Sequence, residues 1–114
     1  MKNFLIFGTL LISSFIFAQE AESNHEIVGG LVKSTYFHEN GKISQEGFYK
    51  KGKVHGLWIS YDENGIKKSQ GTFENGIKTG KWFFWDKNNA KEVDFSENRI
   101  AFVKDLDKNV VVKN

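Results

Sequence analysis

Short runs of aromatic and aliphatic residues alternate with turn-forming residues along most of this chain. The run Trp58-Ile59-Ser60-Tyr61 is rich in aromatic and β-branched side chains, which is typical of a β-strand. Asn64-Gly65 follows and favours a tight hairpin turn, in which both residues adopt positive φ. The return strand is predicted over residues 66–73, and no segment shows the sustained period of a helix. The pattern therefore predicts a β-hairpin.

The predicted hairpin recurs with a period of 24 residues. The first copy contains Glu39, Asn40, Gly41, Gly47, Gly52, Gly56 and Trp58, and the second repeats them as Glu63, Asn64, Gly65, Gly71, Gly76, Gly80 and Trp82. A fixed period of this size indicates a duplicated supersecondary unit whose copies stack. A partial copy precedes these two and a decayed copy follows them, as expected of terminal repeats. We predict an all-β fold, an elongated single-layer antiparallel meander of repeated β-hairpins.

Alternation along each strand assigns the large side chains to two faces. Trp58 and Trp82 are predicted to share one face, and Gly47 and Gly71 leave gaps there that the two indole rings should cover. The opposite face is predicted to carry a second set of rings: Tyr61, Phe83 and Trp85. The ring-on-glycine arrangement favours core packing, since large rings are the main core material available. The alternative, that the rings form a binding groove, stays open.

The N-terminal residues have a composition of their own. Lys2 is the only charge before an apolar stretch over residues 4–17, and the small residue Ala18 follows. This order predicts a secretory signal over residues 1–18, with a cut after Ala18 or, alternatively, after Ala21. The apolar stretch is shorter than the ~20 residues that a membrane-spanning helix needs. We therefore expect an exported protein, periplasmic or secreted, with no membrane span after cleavage.

The residues after the signal suffice for one small domain. We predict a flexible leader over residues 19–26, a repeat domain over residues 27–103, and a C-terminal tail or capping strand over residues 104–114. The chain has no cysteine, so neither a disulfide nor a thiolate is available. Stability must come from packing, largely of the aromatic side chains.

Candidate chemistry is sparse. The formal net charge is only +2 and the basic residues are dispersed, so no nucleic-acid partner is expected. The repeat exchanges His38 for Asp62 and His55 for Thr79, which indicates turn residues rather than metal ligands. A calcium loop beginning at Asp105 is disfavoured because it lacks the required glycine. No nucleophile, base and orienting group are visible together, so we expect no catalytic residue, metal or cofactor and predict that the protein is not an enzyme.

Two segments, Tyr49-Lys50-Lys51-Gly52-Lys53-Val54-His55-Gly56-Leu57-Trp58 and Phe73-Glu74-Asn75-Gly76-Ile77-Lys78-Thr79-Gly80-Lys81-Trp82, carry a family resemblance. Their order of an aromatic residue, a Lys-Gly or Asn-Gly turn, a second glycine and a tryptophan resembles the bacterial variant of the MORN repeat. The resemblance covers about residues 27–100. It implies a β-hairpin array used for protein or membrane contact, and many bacterial relatives are labelled antitoxins of the YwqK type.

We therefore expect an exported interaction module that docks a protein or a cell-envelope component. The candidate binding surface consists of Tyr61, Trp85, Lys50, Lys51, Lys53 and His55. Two alternatives remain open: a structural element that forms homo-oligomers by edge-strand pairing, and an antitoxin-like inhibitor of a secreted partner. A contiguous exposed aromatic patch would favour docking, and an unprotected apolar edge strand would favour assembly.

Overall fold

A computed structural model describes residues 22–106 as one antiparallel sheet of eight strands, without helix. The strands are β1 (Ser23–Val28), β2 (Leu31–Phe37), β3 (Ile43–Lys50), β4 (Lys53–Tyr61), β5 (Lys67–Glu74), β6 (Ile77–Trp85), β7 (Ala90–Ser96) and β8 (Arg99–Leu106). Each strand is hydrogen-bonded to the next in chain order. The predicted all-β meander of hairpins is therefore confirmed. The predicted signal sequence, residues 1–18, lies outside the described residues.

The internal repeat is visible in the strands. Strand β4 (Lys53–Tyr61) and strand β6 (Ile77–Trp85) begin and end 24 positions apart, so they are equivalent. The rings of Trp58 and Trp82 both contact Phe73 edge-on, with ring centroids 6.1 and 5.0 Å away. The two tryptophans therefore lie on one face, as the period predicts.

A cluster of buried hydrophobic residues lies on this tryptophan-bearing face. Trp82, Val93 and Phe95 are buried, and Trp58, Phe73 and Phe84 pack against them while only partly buried. A Cβ atom at Gly71 would overlap the Trp82 ring, and one at Gly47 would overlap the Trp58 ring. The prediction that each indole covers a glycine is thus confirmed, and the glycines supply the space that a single-layer sheet needs to bury large rings.

The turns at the two ends of the strands differ in geometry. Two-residue turns at one end have positive φ at both central positions, as at Asn75 (52°) and Gly76 (87°). The loop from β4 to β5 is longer: Gly65 alone has positive φ (88°), and its N–H donates to the carbonyl of Asp62 at 3.0 Å. The expectation of positive φ at Asn64 is therefore wrong. An additional loop residue leaves only the last position, Gly65, in the left-handed region.

Both ends of the sheet extend beyond the predicted boundaries. The flexible leader predicted over residues 19–26 is wrong from Ser23 onward, because β1 pairs with β2 along its whole length. All six side chains of β1 are exposed, so backbone pairing rather than burial fixes the strand. At the other end β8 continues to Leu106, past the predicted domain end at residue 103. Residues 107–114 lie outside the described part.

Candidate functional site

The sheet has two faces of different character. The core face carries Trp58 and Trp82, and the outer face carries Tyr61 and Trp85. Near the middle of the outer face Ile59 is buried, with 5% of its surface exposed, and is paired with Gln70, which is 4% exposed. The residues around this pair are only half-buried, which leaves them able to contact a partner.

Tyr61 lies at the end of β4 and is held by two hydrogen bonds. Its hydroxyl donates to Oε2 of Glu46 at 3.0 Å, and its carbonyl oxygen lies 3.0 Å from Nε2 of His38, which donates to it. Burial raises the pKa of the Tyr61 hydroxyl, and the hydrogen bond to Glu46 raises it further. The phenol is therefore neutral at ordinary pH and fixed in orientation.

Two surface cavities adjoin Tyr61 and Glu46. One, of about 460 Å³, is lined by Gly41, Lys42, Ile43, Tyr61, Asn64 and Gly65. The other, of about 260 Å³, is lined by Lys33, Glu46, Gly47, Phe48, Leu57 and Ile59. The hydrogen bond between Tyr61 and Glu46 joins one lining to the other. We call the two cavities, together with the hydrogen bond that links their linings, the Tyr61 surface.

Trp85 lies one repeat after Tyr61, on the same face and at the same end of the strands. Its ring stacks with that of Phe83, with centroids 6.2 Å apart and planes inclined by 22°. Both rings are half-buried. Tyr61 and Trp85 belong to strands separated by one other strand, so their backbones are roughly 10 Å apart. The structure brings these two candidate residues together.

The other four candidate residues lie elsewhere: Lys50, Lys51, Lys53 and His55 are at the opposite end of the strands. Lys53 begins β4 and Tyr61 ends it, a separation of roughly 25 Å along the strand. The three lysines are exposed. The Nδ1 atom of His55 lies 3.3 Å from the backbone N–H of Asn75, which donates to it, so this imidazole joins two neighbouring turns. The six candidates therefore do not form one surface.

A polar aromatic group on the core face was missed in the sequence. The indole N–H of Trp58 donates to Oε1 of Gln45 at 3.2 Å, and the hydroxyls of Tyr36 and Tyr49 lie 3.1 Å apart. The hydrogen bond between the two hydroxyls, followed by burial, raises the pKa of Tyr49 to about 12. A position-by-position comparison of the copies could have revealed this group, since Phe73 replaces Tyr49 one period later.

Within residues 22–106 no three His, Asp or Glu side chains are grouped so that they could hold a metal ion. In the same part of the chain no helix could cross a membrane. All buried side-chain nitrogen and oxygen atoms there have a hydrogen-bond partner. Apart from the exposed lysines at residues 50–53, the candidate residues of the described part thus offer half-buried rings and polar groups.

These features define the class of protein as a β-hairpin repeat protein. The family model for the MORN repeat variant matches residues 32–51 and 54–75, which span the hairpins β2–β3 and β4–β5. These two segments of the chain are therefore similar to the MORN repeat variant, whose family is generally non-enzymatic. No curated protein matches the chain.

Proposed function

We propose that this chain is an exported, non-enzymatic interaction module that docks a partner protein on the Tyr61 surface. The observation that carries the proposal is the hydrogen bond between Tyr61 and Glu46, which links the linings of two cavities. The smaller cavity combines apolar side chains with one acid and one base, as protein interfaces do. Export is supported by the basic, apolar and small-residue order at the N-terminus.

The chemistry of the Tyr61 surface favours a polypeptide partner. Tyrosine and tryptophan contribute most of the binding energy at many interfaces, because they offer a large apolar area with few rotatable bonds. Tyr61 is already oriented by Glu46, so a partner loses little side-chain entropy in ordering it. Inhibition of a secreted enzyme or toxin would be one form of such docking, with the partner's active surface covered.

Binding of a purified partner by alanine variants tests this proposal. Partners are first captured from envelope extract on the chain beginning at Gln19, and each is then purified and titrated by calorimetry. Tyr61→Ala should weaken binding at least tenfold, and Lys51→Ala, an exposed turn variant, should change it less than twofold. Equal thermal melts establish that both variants are folded. A partner that binds Tyr61→Ala as tightly as the wild type would contradict the proposal.

The exported location has its own test. Mass spectrometry of the protein from its native host should find a chain that starts at Gln19 or Glu22. Recovery of a cytoplasmic protein that still begins at Met1 would contradict export. The proposal for the Tyr61 surface would then still be tested by the titration.

Assembly through β8 is a second candidate, because one set of observations favours it. Ile100, Phe102 and Val103 are 64%, 55% and 47% exposed on the last strand of the described sheet. An apolar strand at a sheet edge favours pairing with another chain. Sedimentation velocity over a range of concentrations should then show a dimer that Phe102→Lys abolishes. A wild-type chain that sediments as a monomer throughout would exclude this candidate.

A further inference from the structure

The two equivalent tryptophans differ in what covers them. The Phe84 ring stacks on Trp82, with centroids 6.1 Å apart and planes inclined by 21°, and Trp82 is only 3% exposed. The position equivalent to Phe84, 24 residues earlier, is Ser60. A serine cannot cover an indole, and Trp58 is accordingly only half-buried. The Tyr36 ring lies beside Trp58, with centroids 6.4 Å apart and planes inclined by 39°, but no ring at the Ser60 position completes the cover.

A row of neutral polar side chains crosses the core face beside Trp58. We call it the polar row: it consists of Tyr36, Gln45, Ser60 and Ser69, which are paired in register across β2, β3, β4 and β5. Three strand intervals give this row a length of roughly 14 Å. The row ends at Phe84, which pairs with Ser69. None of its members carries a charge at neutral pH.

The groups of the polar row are positioned by contacts with one another and with Trp58. The hydroxyls of Ser60 and Ser69 are hydrogen-bonded at 2.5 Å, and Gln45 accepts the indole N–H of Trp58 at 3.2 Å. Each still has capacity to spare: the Gln45 amide has two N–H donors, and every hydroxyl has more than one lone pair. Groups fixed in this way lose little entropy when they bind a ligand.

We propose that the core face beside Trp58 binds a neutral saccharide. One side of a sugar ring is a C–H surface that packs on an indole, and its hydroxyls pair with neutral amides and hydroxyls. The polar row supplies those partners alongside the Trp58 ring. An anionic ligand is disfavoured because the row contains no lysine or arginine to pair with it. This site lies on the face opposite the Tyr61 surface and extends the proposed function to a second kind of ligand.

The test uses two neutral probes, the β-1,4-linked tetramers of glucose and of N-acetylglucosamine. Titration is followed by tryptophan fluorescence and by backbone NMR shifts of the chain beginning at Gln19. At least one tetramer should shift Trp58, Gln45, Ser60 and Ser69, and the tighter of the two identifies the sugar type. Absence of any shift in the polar row at millimolar tetramer, or tighter binding of an anionic uronic acid tetramer, would overturn the proposal.

Ser60→Phe is the sharpest variant, because it copies the residue that closes the equivalent site. It should cover Trp58, keep or raise the melting temperature, and weaken tetramer binding at least tenfold. Gln45→Ala, which removes the amide together with its hydrogen bond to the Trp58 indole, should weaken binding by a similar factor. Tetramer binding by both variants at the wild-type affinity would contradict the site. Tyr61→Ala should leave tetramer binding unchanged. Failure of the sugar site can therefore be distinguished from failure of the proposed protein interface.

Discussion

Trp58 and Trp82 are the same residue in the same phase of the repeat, each lying on a glycine, yet they have different surroundings. Trp82 is buried under Phe84, and its indole N–H donates to the backbone carbonyl of Thr72 at 3.0 Å. Trp58 is half-buried, and its N–H donates to the side chain of Gln45. The backbone repeat therefore does not decide whether a ring belongs to the core. The neighbouring side chains decide it: Phe84 and Phe95 lie against Trp82, whereas Ser60 stands two positions after Trp58.

The side-chain ammonium group of Lys78 also lies against Trp82. The Nζ atom of Lys78 lies 5.2 Å from the centroid of the Trp82 ring and 5.1 Å from that of Phe95. Such contacts contribute about 0.5 to 1 kcal/mol at exposed sites. The equivalent of Lys78 in the preceding copy is Val54. The second copy thus buries its tryptophan, whereas the tryptophan of the first copy is half-buried.

The largest expected effect is that of truncating the buried tryptophan. Trp82→Ala should reduce the free energy of unfolding by ~3 to 5 kcal/mol, enough to unfold a small domain of ordinary stability. Trp58→Ala should cost about half as much, because less of its surface is removed from water. Thermal and urea melts of the two variants measure the difference. Equal losses would break the comparison, and an unchanged melt for Trp82→Ala would remove Trp82 from the core.

The next effect concerns the glycines beneath the rings. A methyl group at Gly71 would overlap the Trp82 ring, which neighbours hold in place on all sides. Gly71→Ala should therefore cost about 2 to 3 kcal/mol, typical of overpacking in a well-packed core. Gly47→Ala makes the same overlap with Trp58, but that ring can move toward solvent, so a loss of about 1 kcal/mol is expected. Urea melts of both variants test this order, and a larger loss for Gly47→Ala would contradict it.

The sequence predicted those features that the repeat itself encodes: the strands, their equivalence, and the stacking of indoles on glycines. It did not predict β1, because the polar composition of residues 23–26 hides a strand held by backbone pairing. The β7–β8 turn forms without glycine, since Glu97 and Asn98 adopt positive φ of 52° and 71°. Local composition is a weak guide where neighbouring strands fix the backbone.

The relative positions of the candidate residues were predicted in part. Tyr61 and Trp85 do share a face, because strand alternation and the period of 24 residues both follow from the sequence. The lysine turn does not lie near them, because the nine-residue strand β4 separates Lys53 at its start from Tyr61 at its end. A run of lysines in the sequence marks a charged turn, but it does not place that turn beside the aromatic residues at the other end of the strand. The opening beside Trp58 depends on Ser60, whose significance becomes clear only when Phe84 is seen on Trp82.

A smaller effect is expected at high pH and should be confined to the first copy. The Tyr36 hydroxyl raises the pKa of Tyr49 from 10.0 to about 12, so the neutral phenol is favoured in the folded state. That contribution to stability is complete below pH 10.0 and is lost as the pH rises through about 12. The second copy has Phe73 at this position and cannot respond. Over this range the urea midpoint of the wild type should therefore fall relative to that of Tyr49→Phe. A constant difference between the two midpoints would contradict this prediction.

The smallest effect is expected at low pH and separates the loops that precede β3 and β5. Asp62 begins the loop before β5, and its carboxylate accepts N–H groups of Ile66 and Asn64, each at 2.9 Å. The hydrogen bond from Ile66 is the main cause of its lowered pKa, which falls below the usual 3.8. The contribution is therefore present above pH 3.8 and is lost as the pH falls through the lower, folded-state pKa. The preceding copy has His38 in the same position, bonded instead to the Tyr61 carbonyl. Asp62→Ala should lower the urea midpoint slightly at neutral pH, and the difference from wild type should shrink in acid. A difference that is constant across this range would show that the carboxylate charge does not hold the loop.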